Sequence, residues 1–260
     1  MTINQLNITN LTGLWNKYGA NPIESIHGVT LRGNRSWPNR YWFEITDSEQ
    51  VDNLTPNQLE KTLDKLINLV PSPKMLPILP LVNGSEKSNK AINEWLQQYL
   101  DNNNWQLTLE QTAMYLDLES YPSNSAANNN QLNVQKISSV EDIKTWITVC
   151  EEAFGYSIDQ SVIEQVKNHS EIQLLLAHIN NQPVATALTY ITQDIVGVHQ
   201  VGVRKNQQGK GIAKQLMEKI IEQNKLDNKK FIVLQASKVG KPLYDRLGFG
   251  VLFEIGSFKR

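Results

Sequence analysis

Along this chain, apolar residues recur at helical spacing in some stretches and alternate with polar ones in others, a pattern that predicts a mixed α/β structure. Leu59, Leu63, Leu66, Ile67 and Val70 trace one helical face, which Pro71 ends. A second helix is predicted over 91–100, and strands over 26–31, 41–45, 105–109 and 113–118. The run 75–82 reads as a buried strand, but Pro77 and Pro80 confine it to an edge or a bulged path.

The pattern is clearer after residue 131. Ser139, with Asp142 three residues on, marks a helix start, and Ile143, Trp146, Ile147, Cys150 and Phe154 then share one face. Strands over 172–179 and 184–191 flank Asn180-Asn181-Gln182-Pro183, a turn-like tetrapeptide that predicts a hairpin. A β-branched strand from Ile195 to Val203 runs into a glycine-containing turn. That turn opens directly into a helix with the apolar stripe Ile212, Ala213, Leu216, Met217, Ile220 and Ile221.

Charge then separates the two halves. Residues 1–130 hold nine basic and thirteen acidic side chains, against sixteen and thirteen in 131–260. Between them lies a small polar run at 123–131 with no apolar periodicity, as expected of an exposed linker. The expected organisation is an α/β domain at 1–122, a linker at 123–131 and a second domain at 132–260. With a net charge of −1 over 260 residues, nothing favours a nucleic-acid partner. The first residues lack the features of a signal peptide, and no apolar run approaches the roughly 18 residues of a membrane span. A cytoplasmic protein with no membrane contact is therefore expected, and the sequons at Asn7 and Asn83 read as chance. The single cysteine, Cys150, excludes an intramolecular disulfide and a multi-cysteine metal site, and no metal is expected. Its place in an apolar stripe favours a buried structural residue over the alternative, a reactive thiol.

The turn after Val203 carries the most chemical information. A helix N-terminus presents unpaired N–H groups and partial positive charge, so a phosphate docks there if no side chain obstructs it. Gly209 and Gly211 remove the obstruction, and Arg204, Lys205, Lys210 and Lys214 add positive charge. The bland alternative is a glycine-softened surface turn with solvated lysines. A Walker A loop would need glycine at Arg204 and Ser or Thr at Gly211. A dinucleotide fingerprint would need glycine at Lys214 and an acid near Gln235. Both fail.

The turn Gln208-Gly209-Lys210-Gly211-Ile212-Ala213 resembles the acyl-CoA signature of the GNAT superfamily of N-acetyltransferases, Q/R-x-x-G-x-G/A. A second element stands at the family's spacing: a strand over 231–234, then Leu243-Tyr244-Asp245-Arg246-Leu247-Gly248-Phe249. The resemblance covers about residues 132–260 and implies a mixed, mostly antiparallel sheet flanked by helices. It implies acetyl-CoA as co-substrate, its pantetheine along Val201, Gly202 and Val203 and its pyrophosphate on residues 208–213, with Lys214 and Ser237 nearby. Many members have asparagine where Ser237 stands. Tyr244, by the same resemblance, faces the thiol as general acid; the alternative is an aromatic residue that packs a terminal helix.

The position that commonly carries glutamate in the family is Gly197. His199, two residues on, is the candidate base if its imidazole keeps a pKa near 6.5; a structural histidine or a water relay is the alternative. The implied reaction is transfer of an acetyl group to the primary amine of a small molecule or peptide. Two alternatives stand beside it: a protein N-acetyltransferase, and a non-catalytic acyl-CoA-binding or interaction protein. The 111–118 segment resembles the closing strand of such domains, so the first half is expected to be a degenerate GNAT-like domain whose last strand completes or abuts the catalytic sheet. Its aromatic residues Trp37, Tyr41, Trp42 and Trp105 read mainly as core.

Overall fold

The computed structural model describes residues 1–122 and 132–260; the expected linker at 123–131 lies outside them. The chain forms two compact units. One is Met1–Thr112 with Phe253–Arg260, and the other is Ala113–Leu252.

The first unit begins with α1 (Ile3–Lys17), followed by an antiparallel meander of β1 (Asn21–Ile26), β2 (Val29–Gly33) and β3 (Tyr41–Ile45). Two helices, α2 (Ser48–Asp52) and α3 (Pro56–Ile67), lead to the short β4 (Leu76–Pro77), and α4 (Glu86–Asn102) leads into β5 (Gln106–Asp117). The strand expected over 26–31 is instead a hairpin corner. His27 and Gly28 both take positive φ, 49° and 79°, as a two-residue turn requires, and split the run between β1 and β2. The strands expected over 105–109 and 113–118 are one, β5. The helix α1 has no clean apolar stripe, because Asn7, Asn10 and Thr12 are buried among its apolar residues, and a Thr2–Gln5 capping box fixes its start. Trp37, Tyr41, Trp42 and Trp105 are all buried.

The second unit opens with β6 (Asn133–Ile137), α5 (Val140–Phe154) and α6 (Gln160–Val166), then a meander of β7 (Ile172–Ile179), β8 (Gln182–Thr192) and β9 (Ile195–Val203). Asn180 and Asn181, at φ 50° and 61°, make the expected β7–β8 turn. Then come α7 (Ile212–Leu226), β10 (Phe231–Ser237), α8 (Lys241–Arg246) and β11 (Gly250–Lys259). Within this unit the strand order is β11-β5-β10-β9-β8-β7-β6, with β10 parallel to β9. Ile212, Leu216, Met217, Ile220 and Ile221 of α7 bury their stripe against Val196, Val198, Ile232 and Leu234. Among the described residues no helix is long and apolar enough to cross a membrane.

Both units run from an antiparallel meander through helix to a further strand, another helix and a closing antiparallel strand. In the first unit, however, two helices, α2 and α3, follow the meander, and the chain before β4 meets the start of β3 at a single parallel bridge, Arg40 with Met75. Each unit receives its closing strand from the opposite half of the sequence. In the second unit the residues of β5 from Ala113 on lie between β10 and β11, and the Leu118 N–H reaches the Lys230 carbonyl at 2.9 Å. In the first unit the end of β11 lies between β4 and β5. Phe258 packs there among Leu63, Leu66, Leu76 and Leu96. Phe258→Ala is therefore expected to cost about 3 kcal/mol and to lower amide hydrogen-exchange protection in α3 and α4 before that in β8 and β9. A uniform loss, or loss confined to β8 and β9, would contradict this assignment of the last strand.

Candidate active site

The site grows from the place where parallel pairing stops. Ile195, Val196 and Gly197 of β9 align with Phe231, Ile232 and Val233 of β10, and the register ends there although β9 runs on to Val203 and β10 to Ser237. On its other edge β9 stays paired with β8, through a bulge: Thr186 aligns with Gly202 but Leu188 with His199. Gln200 takes φ 52° at the bulge, and the Thr186 hydroxyl donates to its carbonyl at 3.0 Å. Cys150, buried, lies 3.2 Å from that hydroxyl. Because the threonine proton is already used, the thiol donates to Thr186, and burial pushes its pKa up to about 12. This cysteine braces the bulge as a protonated thiol. At Gly202 a Cβ would come within 2.9 Å of Ala153 Cβ and 3.1 Å of the Phe154 ring, so glycine permits the close approach of α5.

The strand then enters the glycine turn. After one turn of 3₁₀ helix at Lys205–Gln207, Gly209 and Gly211 both sit in the left-handed region, at φ 77° and 76°. A Cβ at Gly209 would meet nothing within 4 Å, and one at Gly211 only Gln215 Nε2 at 4.0 Å. The approach to the α7 N-terminus is thus open. Helices α1 to α6 are capped by Thr2, Asp47, Thr55, Ser85, Ser139 and Asp159 side chains. Only glycine precedes Ile212 of α7, so no side chain from Gly211 accepts from the first N–H groups, including those of Ala213 and Lys214. An open, electropositive helix start of this kind suits a phosphate.

The basic residues around the turn divide. Arg204 pairs with Glu152 of α5 and donates from Nε to the Pro183 carbonyl at 2.8 Å, while the Lys205 N–H reaches Glu152 at 3.2 Å. The expectation that Arg204 adds charge for a phosphate is corrected: its guanidinium anchors the end of β9 to α5. Lys210 folds back onto the Asn206 carbonyl and Gln207, at 3.1 and 2.9 Å, and Lys214 pairs with Glu218 at 3.4 Å. Both lysines stay at the surface beside the turn. The Gln208 side chain donates to the Val203 carbonyl at 3.1 Å, so it ties the turn to the strand end.

Across the gap, Ser237 accepts from the Gly240 N–H at 3.1 Å and shapes the turn into α8. A Cβ at Gly240 would lie 3.5 Å from the Tyr244 ring. Gly248, at φ 86°, folds the chain back so that the Phe249 N–H bonds the Tyr244 carbonyl at 3.0 Å. The rings of Tyr244 and Phe249 meet edge-on at 5.5 Å. Tyr244 is 8% exposed, and burial raises its pKa to about 12. Its phenol is protonated at neutral pH and is a donor. His199, opposite Leu188, keeps some exposed surface, yet the protein around it lowers its pKa to about 4. The expectation of a pKa near 6.5 is thereby corrected: desolvation holds this imidazole neutral.

Tyr156 was not marked by the sequence pattern. It follows the left-handed cap Gly155, stacks on Phe154 at 5.6 Å and donates from its hydroxyl to Gln200 Oε1 at 3.1 Å. Both rings are exposed, beside the bulge. Among the described residues no group of three His, Cys, Asp or Glu side chains is placed to hold a metal ion.

Residues 129–257 match the family model described as the acetyltransferase (GNAT) domain. Among solved structures, a GCN5-related N-acetyltransferase from Kribbella flavida is similar with a TM-score of 0.68 at 13% identity, over 100% of this chain and 96% of that one. Another from Sphaerobacter thermophilus gives 0.60 at 15% identity, over 90% and 76%. A functionally unknown conserved protein from Staphylococcus epidermidis gives 0.59 at 15% identity, over 92% and 93%. At these identities the likeness is one of fold. No curated protein matches the sequence. Through residues 129–257 the chain carries a GNAT acetyltransferase domain, and it is by class an acetyl-CoA-dependent N-acetyltransferase.

Proposed function

We propose that the second unit transfers the acetyl group of acetyl-CoA to a primary amine by direct attack, with Tyr244 as general acid. The observation that carries this reading is the alignment of an unobstructed helix start at Gly209–Gly211 with strands whose pairing stops after Gly197 and Val233. The N–H groups of residues 208–213, with Lys210 and Lys214, would hold the pyrophosphate. Val201, Gly202 and Val203, past the last β9–β10 pair, would lie along the pantetheine, and Ser237 stands at the end of the opposite strand.

Acetyl-CoA supplies an activated acyl group and a thiolate leaving group. The Tyr244 phenol, kept protonated at neutral pH by burial, donates to that departing sulfur. His199 stays neutral and is a weak base, so the amine loses its proton to solvent. Phe154 and Tyr156 make an aromatic wall beside the bulge, suited to the body of an amine-bearing acceptor. Thiol release measured over a panel of small amines and peptide N-termini distinguishes the acceptor classes.

Two outcomes follow for the kinetics. Tyr244→Phe is expected to lower kcat roughly hundredfold while the KM for acetyl-CoA stays within about threefold; unchanged turnover would remove Tyr244 from the acid role. Neither His199 nor Tyr244 titrates between pH 5.5 and 9 on the shifts above. The logarithm of kcat/KM for the amine should therefore rise with pH, with a slope of about one, up to the amine's own pKa. A bend near pH 6.5 that disappears in His199→Asn would contradict this.

A further inference from the structure

In the first unit β3 and β4 belong to different sheets and diverge from a single bridge, with different chemistry between them. β3 is parallel to the approach to β4 at Arg40 and Met75, where the Tyr41 N–H meets the Met75 carbonyl at 2.8 Å and the Met75 N–H meets the Asn39 carbonyl at 2.9 Å. Past that bridge β3 continues to Ile45, paired with β2, while the chain after β4 turns to β11 through the Ile78 N–H and the Gly256 carbonyl at 2.9 Å. Between them lies a cleft of 280 Å³, walled on its third side by α1. Ile8, Trp42, Leu79 and Val82 give it an apolar surface, and Thr9 and Asn16 give it a polar edge.

Phosphate has no place beside it. β3 is followed by Thr46-Asp47-Ser48-Glu49, where Asp47 itself caps the five-residue α2 by accepting from the Gln50 N–H at 3.0 Å. A carboxylate fills the position that glycine leaves open in the second unit. The charged side chain in the cleft lining is also an acid, Glu44, and no lysine or arginine side chain lines it. Trp42 Nε1 donates to Glu44 Oε1 at 2.9 Å, and Arg32 stands 3.6 Å from Oε2. These contacts fix the carboxylate in place, and a carboxylate so held can still accept further N–H donors. The first half of the chain is acidic as a whole.

We infer that this cleft is a second ligand site, for a small organic ammonium ion with an aromatic or alkyl body, seated against Val82 and the α1 wall with its cation at Glu44. At 280 Å³ the cleft is near the lower end of small-molecule sites, which limits the occupant to a compact molecule. The site binds and does not transfer, since it has neither a phosphate-binding turn nor a counterpart of Tyr244 in the cleft lining. It stands independently of the catalytic reading.

The test is calorimetric titration of the full chain with phenethylammonium chloride, with neutral 2-phenylethanol as the comparison. Wild type is expected to bind the ammonium at least tenfold more tightly than the alcohol. Thr9→Phe, an exposed position on the cleft wall, should abolish that binding, and Glu44→Gln should weaken it roughly tenfold. Acetyl-CoA binding and thiol release should be unchanged in both variants, which also shows that they fold. Absence of binding by wild type at 10 mM probe, equal binding of the alcohol, or ammonium binding unchanged in both variants would each overturn the assignment.

Discussion

The chemistry of this chain depends on a backbone pairing that stops. Parallel strands β9 and β10 share three residue pairs, and past them the two strands run on to Val203 and Ser237 without that pairing. Such an opening is costly unless it is braced. The bracing is specific: a bulge at Gln200 held by Thr186 and Cys150, a strand end clamped to α5 by Arg204 and Glu152, and a glycine at 202 that lets α5 come close. Each contact keeps β9 committed to β8 and α5 on one side, so that its other edge remains at the site.

The two units solve the closing of their sheets reciprocally. Each takes its last strand from the far half of the sequence, β5 in one and the end of β11 in the other. An open sheet edge is thereby paired in each. The same construction explains how a unit without a glycine turn persists: its core of Leu63, Leu66, Ile67, Leu96 and Phe258 needs the last residues of the chain, and the catalytic sheet needs residues 113–117.

The sequence made the chemical half legible where backbone conformation itself demands a residue type. Gly209, Gly211 and Gly248 stand at positive φ, and the closing Leu243–Phe249 segment is a short helix with a fold-back turn, so a residue pattern suffices to find them. The hairpin at Asn180–Asn181 was visible for the same reason. What stayed hidden depends on partners far along the chain. Arg204 reads as a phosphate ligand until Glu152, 52 residues earlier, is seen to hold it. Gln200 is an ordinary strand residue by type, yet the bulge gives it positive φ. The depressed pKa of His199 comes from the packing around it, which no local pattern encodes. In the first half, buried asparagines concealed α1, and His27-Gly28 split a run that alternation alone reads as one strand.

The central claim is that one acyl-CoA site, and only one, is built on the glycine turn of the second unit. Calorimetric titration of the full chain with acetyl-CoA tests it most directly. The account predicts saturable binding at one molecule per chain, lost in a Gly211→Val variant that obstructs the start of α7. No heat at millimolar acetyl-CoA, or two molecules bound per chain, would contradict it.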